Sequence, residues 1–178
     1  MRLGSFQVSD QTADEDFLLA VLNSTPVVDD APTDEFADAA RARAWLAAQG
    51  GTGSAAELGG VLSARELLQA VVRGDDDVAS LALTLQGVVR TPVCTERGIE
   101  WDFEVDADRR LAVRAVMAWS GIVGRSPARL RPCANDECSL FLLDRSKAGS
   151  ARWCSMATCG NRLKARRHSE RSRAGHAG

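Results

Sequence analysis

The sequence predicts a mainly α fold with a small β-hairpin. A helical N-terminal domain spans residues 1–124, a compact C-terminal module spans 125–168, and a basic tail, predicted to be disordered, spans 169–178. Three observations carry this reading. Apolar residues recur with helical period through most of the first 124 residues. A period-two pattern occurs once, where Ile99, Trp101, Phe103 and Val105 alternate with acidic residues. Four of the five cysteines fall in two close pairs, Cys133/Cys138 and Cys154/Cys159. The chain has 178 residues and is 45% hydrophobic, enough to bury a core and too apolar for a disordered chain.

The elements follow in order. Asp14, Glu15 and Asp16 precede the apolar run Phe17–Leu22, as suits a helix start, and Asn23-Ser24-Thr25-Pro26 ends it. A second helix is predicted from Pro32-Thr33-Asp34, with Thr33 as cap, to Gln49. Gly50 to Ser54 reads as a flexible break. Ser63 and Glu66 read as a capping box for a helix carrying Ala64, Leu67, Leu68, Val71 and Val72, stopped by Gly74. Asp75-Asp76-Asp77 opens another, with Val78, Leu81, Ala82, Leu85, Val88 and Val89 on one face. The hairpin near 91–105 pairs Thr91–Cys94 with the strand from Ile99, whose outer face is acidic (Glu100, Asp102, Glu104). From Ala107 to Gly124 apolar residues cover most of the circumference, the pattern of a central helix. Ser126-Pro127 restarts the chain. Cys94 reads as a buried structural thiol.

The formal charge of −2 hides two opposite parts. Residues 1–124 hold 10 basic and 20 acidic side chains, a net of −10, and residues 125–178 hold 12 basic and 4 acidic, a net of +8. Such asymmetry points to a basic module that meets a polyanion, against the blander reading of a solvated tail. No apolar run is long enough for a transmembrane helix, so no membrane partner is expected. The N-terminus lacks the apolar stretch of a secretory signal, and an odd cysteine count fits a cytoplasmic location. No nucleophile–base pair or phosphate loop is visible, so an enzyme is not expected.

The spacing Cys133-x4-Cys138-x15-Cys154-x4-Cys159 is that of a four-thiolate zinc site, with disulfides or unrelated thiols as the competing readings. Four cysteines close the coordination sphere, so one structural Zn2+ is expected. Between the pairs, Leu140–Leu143 reads as a strand, Asp144–Ser150 as a turn and Ala151–Trp153 as the return strand, with Phe141 and Trp153 packing beside the metal. A helix-forming stretch with Arg162, Lys164, Arg166 and Arg167 follows, giving a treble-clef-like zinc module. Arginine forks match phosphate oxygens and guanine edges, so double-stranded DNA is the expected partner. A basic helix packed against the acidic half is the alternative, and docking of Glu100, Asp102 and Glu104 on it would screen it from DNA.

The run Cys133-x4-Cys138, Leu140-Phe141-Leu142-Leu143-Asp144-x-Ser146 and Arg152-Trp153-Cys154-Ser155-Met156-x2-Cys159-Gly160-Asn161-Arg162-x-Lys164-Ala165-Arg166 resembles the CGNR zinc-finger family. The N-terminal part is similar to that family's partner, the ABATE domain, with an early Leu-rich helix ending near Asn23 and a hairpin before a long helix. The resemblance implies a bacterial transcription regulator described as stress-induced, in which the finger binds DNA and the N-terminal domain senses a small molecule or a protein. It implies Cys133, Cys138, Cys154 and Cys159 as zinc ligands. It also implies a nucleic-acid face around Arg162, for which the candidates are Arg145, Lys147, Arg152, Asn161, Arg162, Lys164, Arg166 and Arg167. A homodimer would suit palindromic sites. The alternative is a zinc-finger adaptor that binds protein or RNA without catalysis.

Overall fold

The computed structural model describes residues 3–7, 11–28, 31–96 and 98–160. In chain order the elements are β1 (Leu3–Gln7), α1 (Gln11–Leu22), β2 (Val27–Val28), β3 (Ala31–Pro32), α2 (Ala39–Ala48) and α3 (Ala55–Arg73). Then come a 3-10 turn (Val78–Leu81), α4 (Ala82–Leu85), β4 (Val89–Thr95), β5 (Gly98–Asp106), a 3-10 turn (Ala107–Arg109) and α5 (Arg110–Arg125). The C-terminal module adds β6 (Leu130–Pro132), β7 (Phe141–Leu143) and a π turn (Met156–Gly160). The fold is therefore mainly helical, with small antiparallel strand pairs and a cysteine-bearing C-terminal module.

The apolar faces of α1, α3 and α5 meet in one core built on Leu18, Val21, Leu22, Val61, Leu68 and Val116, each 1% exposed or less. Two prolongations of that core matter for function. Leu130 of β6 and Phe141 of β7 belong to it, so apolar side chains from beyond residue 125 complete the helical body. Phe141, 1% exposed, therefore packs into the body rather than beside the cysteines as the sequence predicts. Asn23, just past the end of α1, clasps the same residue. Its side-chain amide donates to the Phe141 carbonyl at 3.1 Å and accepts from the Phe141 N–H at 2.7 Å.

Several local expectations shift. The third helix starts at Ala55, not beyond Ser63. Ser54 is its cap, accepting from the Glu57 N–H at 3.0 Å, so the glycine-rich break is an ordered helix entry. Glu57, fully buried, turns back to accept from the Gly53 N–H at 2.8 Å. A Cβ at Gly51 would lie 2.4 Å from the Glu57 carboxylate, so only glycine lets the chain pass there. The second helix begins at Ala39 because Asp38, not Thr33, accepts from the Ala40 and Arg41 amides. The helix expected after Asp77 ends at Leu85, and Val89 already belongs to β4. The hairpin also gains a third strand, since β1 pairs with β5 in the order β1-β5-β4.

The hairpin's apolar face is only half covered. Phe103 and Val105 are buried, but Ile99 is 68% and Trp101 43% exposed. Arg90 lies over the Trp101 ring, 4.4 Å from its centroid. Cys94 is exposed on the same hairpin, which corrects the expectation of a buried thiol.

Candidate metal centre and basic face

Two short chain segments bring the cysteines together. β6 and β7 pair antiparallel, with Leu130 opposite Leu143 and Pro132 opposite Phe141, and this places Cys133 and Cys138 in the loop that joins the two strands. The return strand predicted at Ala151–Trp153 does not form, and among the described residues β7 pairs with β6 alone. Residues 144–151 are instead clipped by side chains. The buried Asp144 carboxylate accepts from the Ser146 N–H and hydroxyl and from the Ala151 N–H. Arg131 donates to the same carboxylate at 2.8 Å and to the Ala151 carbonyl. The Ser146 hydroxyl, the two amides and the Arg131 charge together hold the Asp144 carboxyl at about 2, despite its burial. The clip delivers Arg152, whose carbonyl accepts from the Ala134 N–H at 2.8 Å, and so sets Cys154 beside Cys133.

The sulfur atoms of Cys133, Cys138, Cys154 and Cys159 all lie within 4.8 Å of one another. Cys138 and Cys154 are 3.7 Å apart, and Cys154 and Cys159 3.6 Å. A tetrahedron with zinc–sulfur bonds of about 2.3 Å has edges of about 3.8 Å, so the cluster has the size zinc requires. A disulfide would need about 2.05 Å, and all four thiols are free. The four cysteines thus form a single zinc-binding site. Four thiolates leave no open coordination position, so the ion's role there is to brace the fold.

Burial pushes the Cys138 thiol up to about 11 and pushes Cys154 up as well. Cys159 moves the other way. Its desolvation is outweighed by hydrogen bonds from Asn135 and the neighbouring thiols. Cys138 and Cys154 would give up their thiol protons on holding a zinc ion. Asn135 is a residue the sequence reading missed. It is 3% exposed, and its amide lies 3.7 Å from the Cys159 sulfur. The Cys154 N–H points at the Cys133 sulfur at 3.5 Å. Donors of this kind orient thiolates and offset their charge. The only signal for Asn135 in the sequence is its position inside the first cysteine loop.

The candidate basic face is partly within view. Arg145, Lys147 and Arg152 are exposed on the module. Arg152 lies over the Trp153 ring, 5.3 Å from its centroid. Arg145 is already paired, at 2.6 Å with Asp16 and 3.5 Å with Glu15 of α1. Asn161, Arg162, Lys164, Arg166 and Arg167 lie outside the described residues, as does the helix expected to carry them. The proposed docking of that helix on Glu100, Asp102 and Glu104 lies outside them too. Among the described residues no helix is long and apolar enough to cross a membrane.

Comparison with known proteins places the module. No curated protein matches the chain. Residues 129–172, which hold all four clustered cysteines and both strands of the β6–β7 ribbon, match the family described as CGNR zinc finger.

Proposed function

We propose that the protein is a DNA-binding transcriptional regulator whose zinc module presents basic side chains to the duplex. One observation carries the reading: the zinc-binding cysteines open a segment with 12 basic and 4 acidic side chains, a net of +8 over residues 125–178. Zn2+ with four thiolates carries −2, so the segment keeps a net of about +6 with the metal bound. Arginine dominates that segment and fits phosphate and guanine edges. The metal holds the module rigid, and the regulator has no catalytic step. In this reading residues 1–124 act as an ABATE-like sensor of a small molecule or protein, and the protein works in the cytoplasm in a stress response.

Genome-wide mapping of bound DNA tests the reading, with a Cys154→Ser control. Enrichment of discrete sites that the control loses is the expected result. In solution, duplex affinity should fall steeply with salt, because each neutralised phosphate releases counterions. Arg162→Ala combined with Arg166→Ala should weaken it. Retention of a protein or RNA partner with no duplex bound at low salt would replace this reading with an adaptor role.

A further inference from the structure

A cleft of about 230 Å³ lies where the start of α1, the end of α5 and the turn after β7 meet. Three guanidinium groups line it, those of Arg125, Arg129 and Arg145. Like charges at such close quarters repel unless an anion joins them. Here the anion is Glu15. One oxygen takes Arg125 at 2.8 Å and the other takes Arg145 at 3.5 Å. Asp16 takes Arg145 from outside at 2.6 Å. Arg129 donates to the Asp144 and Ser146 carbonyls, and the Asp144 carboxylate, 3.8 Å away, is already met by Arg131 at 2.8 Å. Four guanidiniums therefore surround three carboxylates, a surplus of one positive charge. A bridging phosphodiester carries one negative charge and offers two oxygens to a pair of arginine forks.

We propose that this cleft seats a backbone phosphate of duplex DNA, with Arg125, Arg129 and Arg145 as its ligands, and that Glu15 holds the arginines in place while the phosphate displaces Asp16 from Arg145. The inference rests on the DNA-binding reading and extends it from the finger onto α1 and α5. Arg125 is 47% and Arg145 48% exposed at the side chain, so a duplex reaches both. The Arg145–Asp16 pair is exposed on both sides, so it is weak and screened and yields at little cost, whereas Glu15, 13% exposed, stays with its arginines. Ser126 on the rim adds a hydroxyl donor suited to a phosphate oxygen. The same arrangement lets the acidic part of the chain restrain the basic part through α1.

Duplex affinity measured over a range of salt tests this with four double variants of the full zinc-loaded chain. Arg125→Gln with Arg145→Gln should weaken binding and lower the salt slope by about 1, the signature of one lost phosphate contact. Arg41→Gln with Arg43→Gln makes the same charge change on α2 and should leave the slope unchanged. Glu15→Gln with Asp16→Asn should tighten binding about twofold to fivefold, the scale of an exposed ion pair. Asp75→Asn with Asp76→Asn, the matching acidic control, should not. A gain in affinity cannot come from misfolding, so the acidic pair keeps the test decisive if the arginine variant unfolds. A parent that binds duplex while the cleft variants behave like their controls overturns the phosphate seat alone. A parent that retains no duplex overturns the DNA reading and the seat with it.

Discussion

The helical body and the cysteine module are held together by different forces. In the body, α1, α3 and α5 bury a continuous apolar core, and the few polar side chains buried with it, Glu57, Arg65 and Gln69 among them, have polar partners. The module has few apolar side chains of its own to bury, and two of them, Leu130 and Phe141, are spent on the body's core. What remains to shape it is a carboxylate clip at Asp144 and a zinc site. A segment so poor in core cannot fold on hydrophobic burial alone, and structural zinc supplies about 10–16 kcal/mol to such modules. The difference teaches that the module depends on the metal for its internal order and on the body for its placement.

The comparison breaks most sharply if the metal is removed. Cys154→Ser should reduce zinc from about one equivalent per chain to a trace by elemental analysis. Far-UV circular dichroism should still report the helices of the body, because their core is apolar. Loss of the helical signal together with the metal would mean that the two regions are not separable in this way.

Phe141→Ala sharpens the comparison from the other side. Removing this ring should cost about 3–5 kcal/mol, as large-to-small core changes do. The cost should appear as lowered thermal stability of the helical body, although the residue sits between the two cysteine pairs. Zinc stoichiometry should stay near one.

A smaller effect is expected from Asn23→Ala. It leaves the Phe141 N–H and carbonyl without their shared partner, at about 1–3 kcal/mol. Coupling between Asn23→Ala and Phe141→Ala in a double-mutant cycle would show that the clasp and the ring act as one joint. Strict additivity would show that they do not.

The smallest effect concerns pH. Because Asp144 is held at about 2, below its ordinary 3.8, its stabilisation is complete above about pH 4 and is lost only as pH falls through about 2. The Ala151 amide resonance of the zinc-loaded chain should therefore stay fixed from pH 8 to 6. A titration in that range would show that the clip is not an ionised carboxylate.

The zinc site was legible in the sequence because its ligands are declared by spacing alone. The helices α1, α3 and α5 were legible too, since each pays for its burial with a periodic face. Boundaries fared worse where two signals compete. Ser63 and Glu66 form a capping-box pattern inside α3, but Ser54 provides the actual cap, and Gly59 and Gly60 do not break the helix. The return strand predicted at Ala151–Trp153 does not form, and β6 was missed, because the pairing of Leu130–Pro132 with β7 is a choice made by tertiary contact. β1 was missed because pairing with β5, roughly a hundred residues away, leaves no local trace. The phosphate cleft draws its arginines from three separate segments, so no window of sequence contains it.

The clasp between Asn23 and Phe141 joins residues 118 apart in the chain. At ribosomal speeds of about 5–20 residues per second, roughly 6–24 s separate the synthesis of the two. During that interval α1 has emerged without the ring that completes its core, and the unsealed surface is open to chaperones or to aggregation. Biosynthesis thus runs from body to module, and the last apolar piece arrives on the same short stretch of chain that carries the metal ligands.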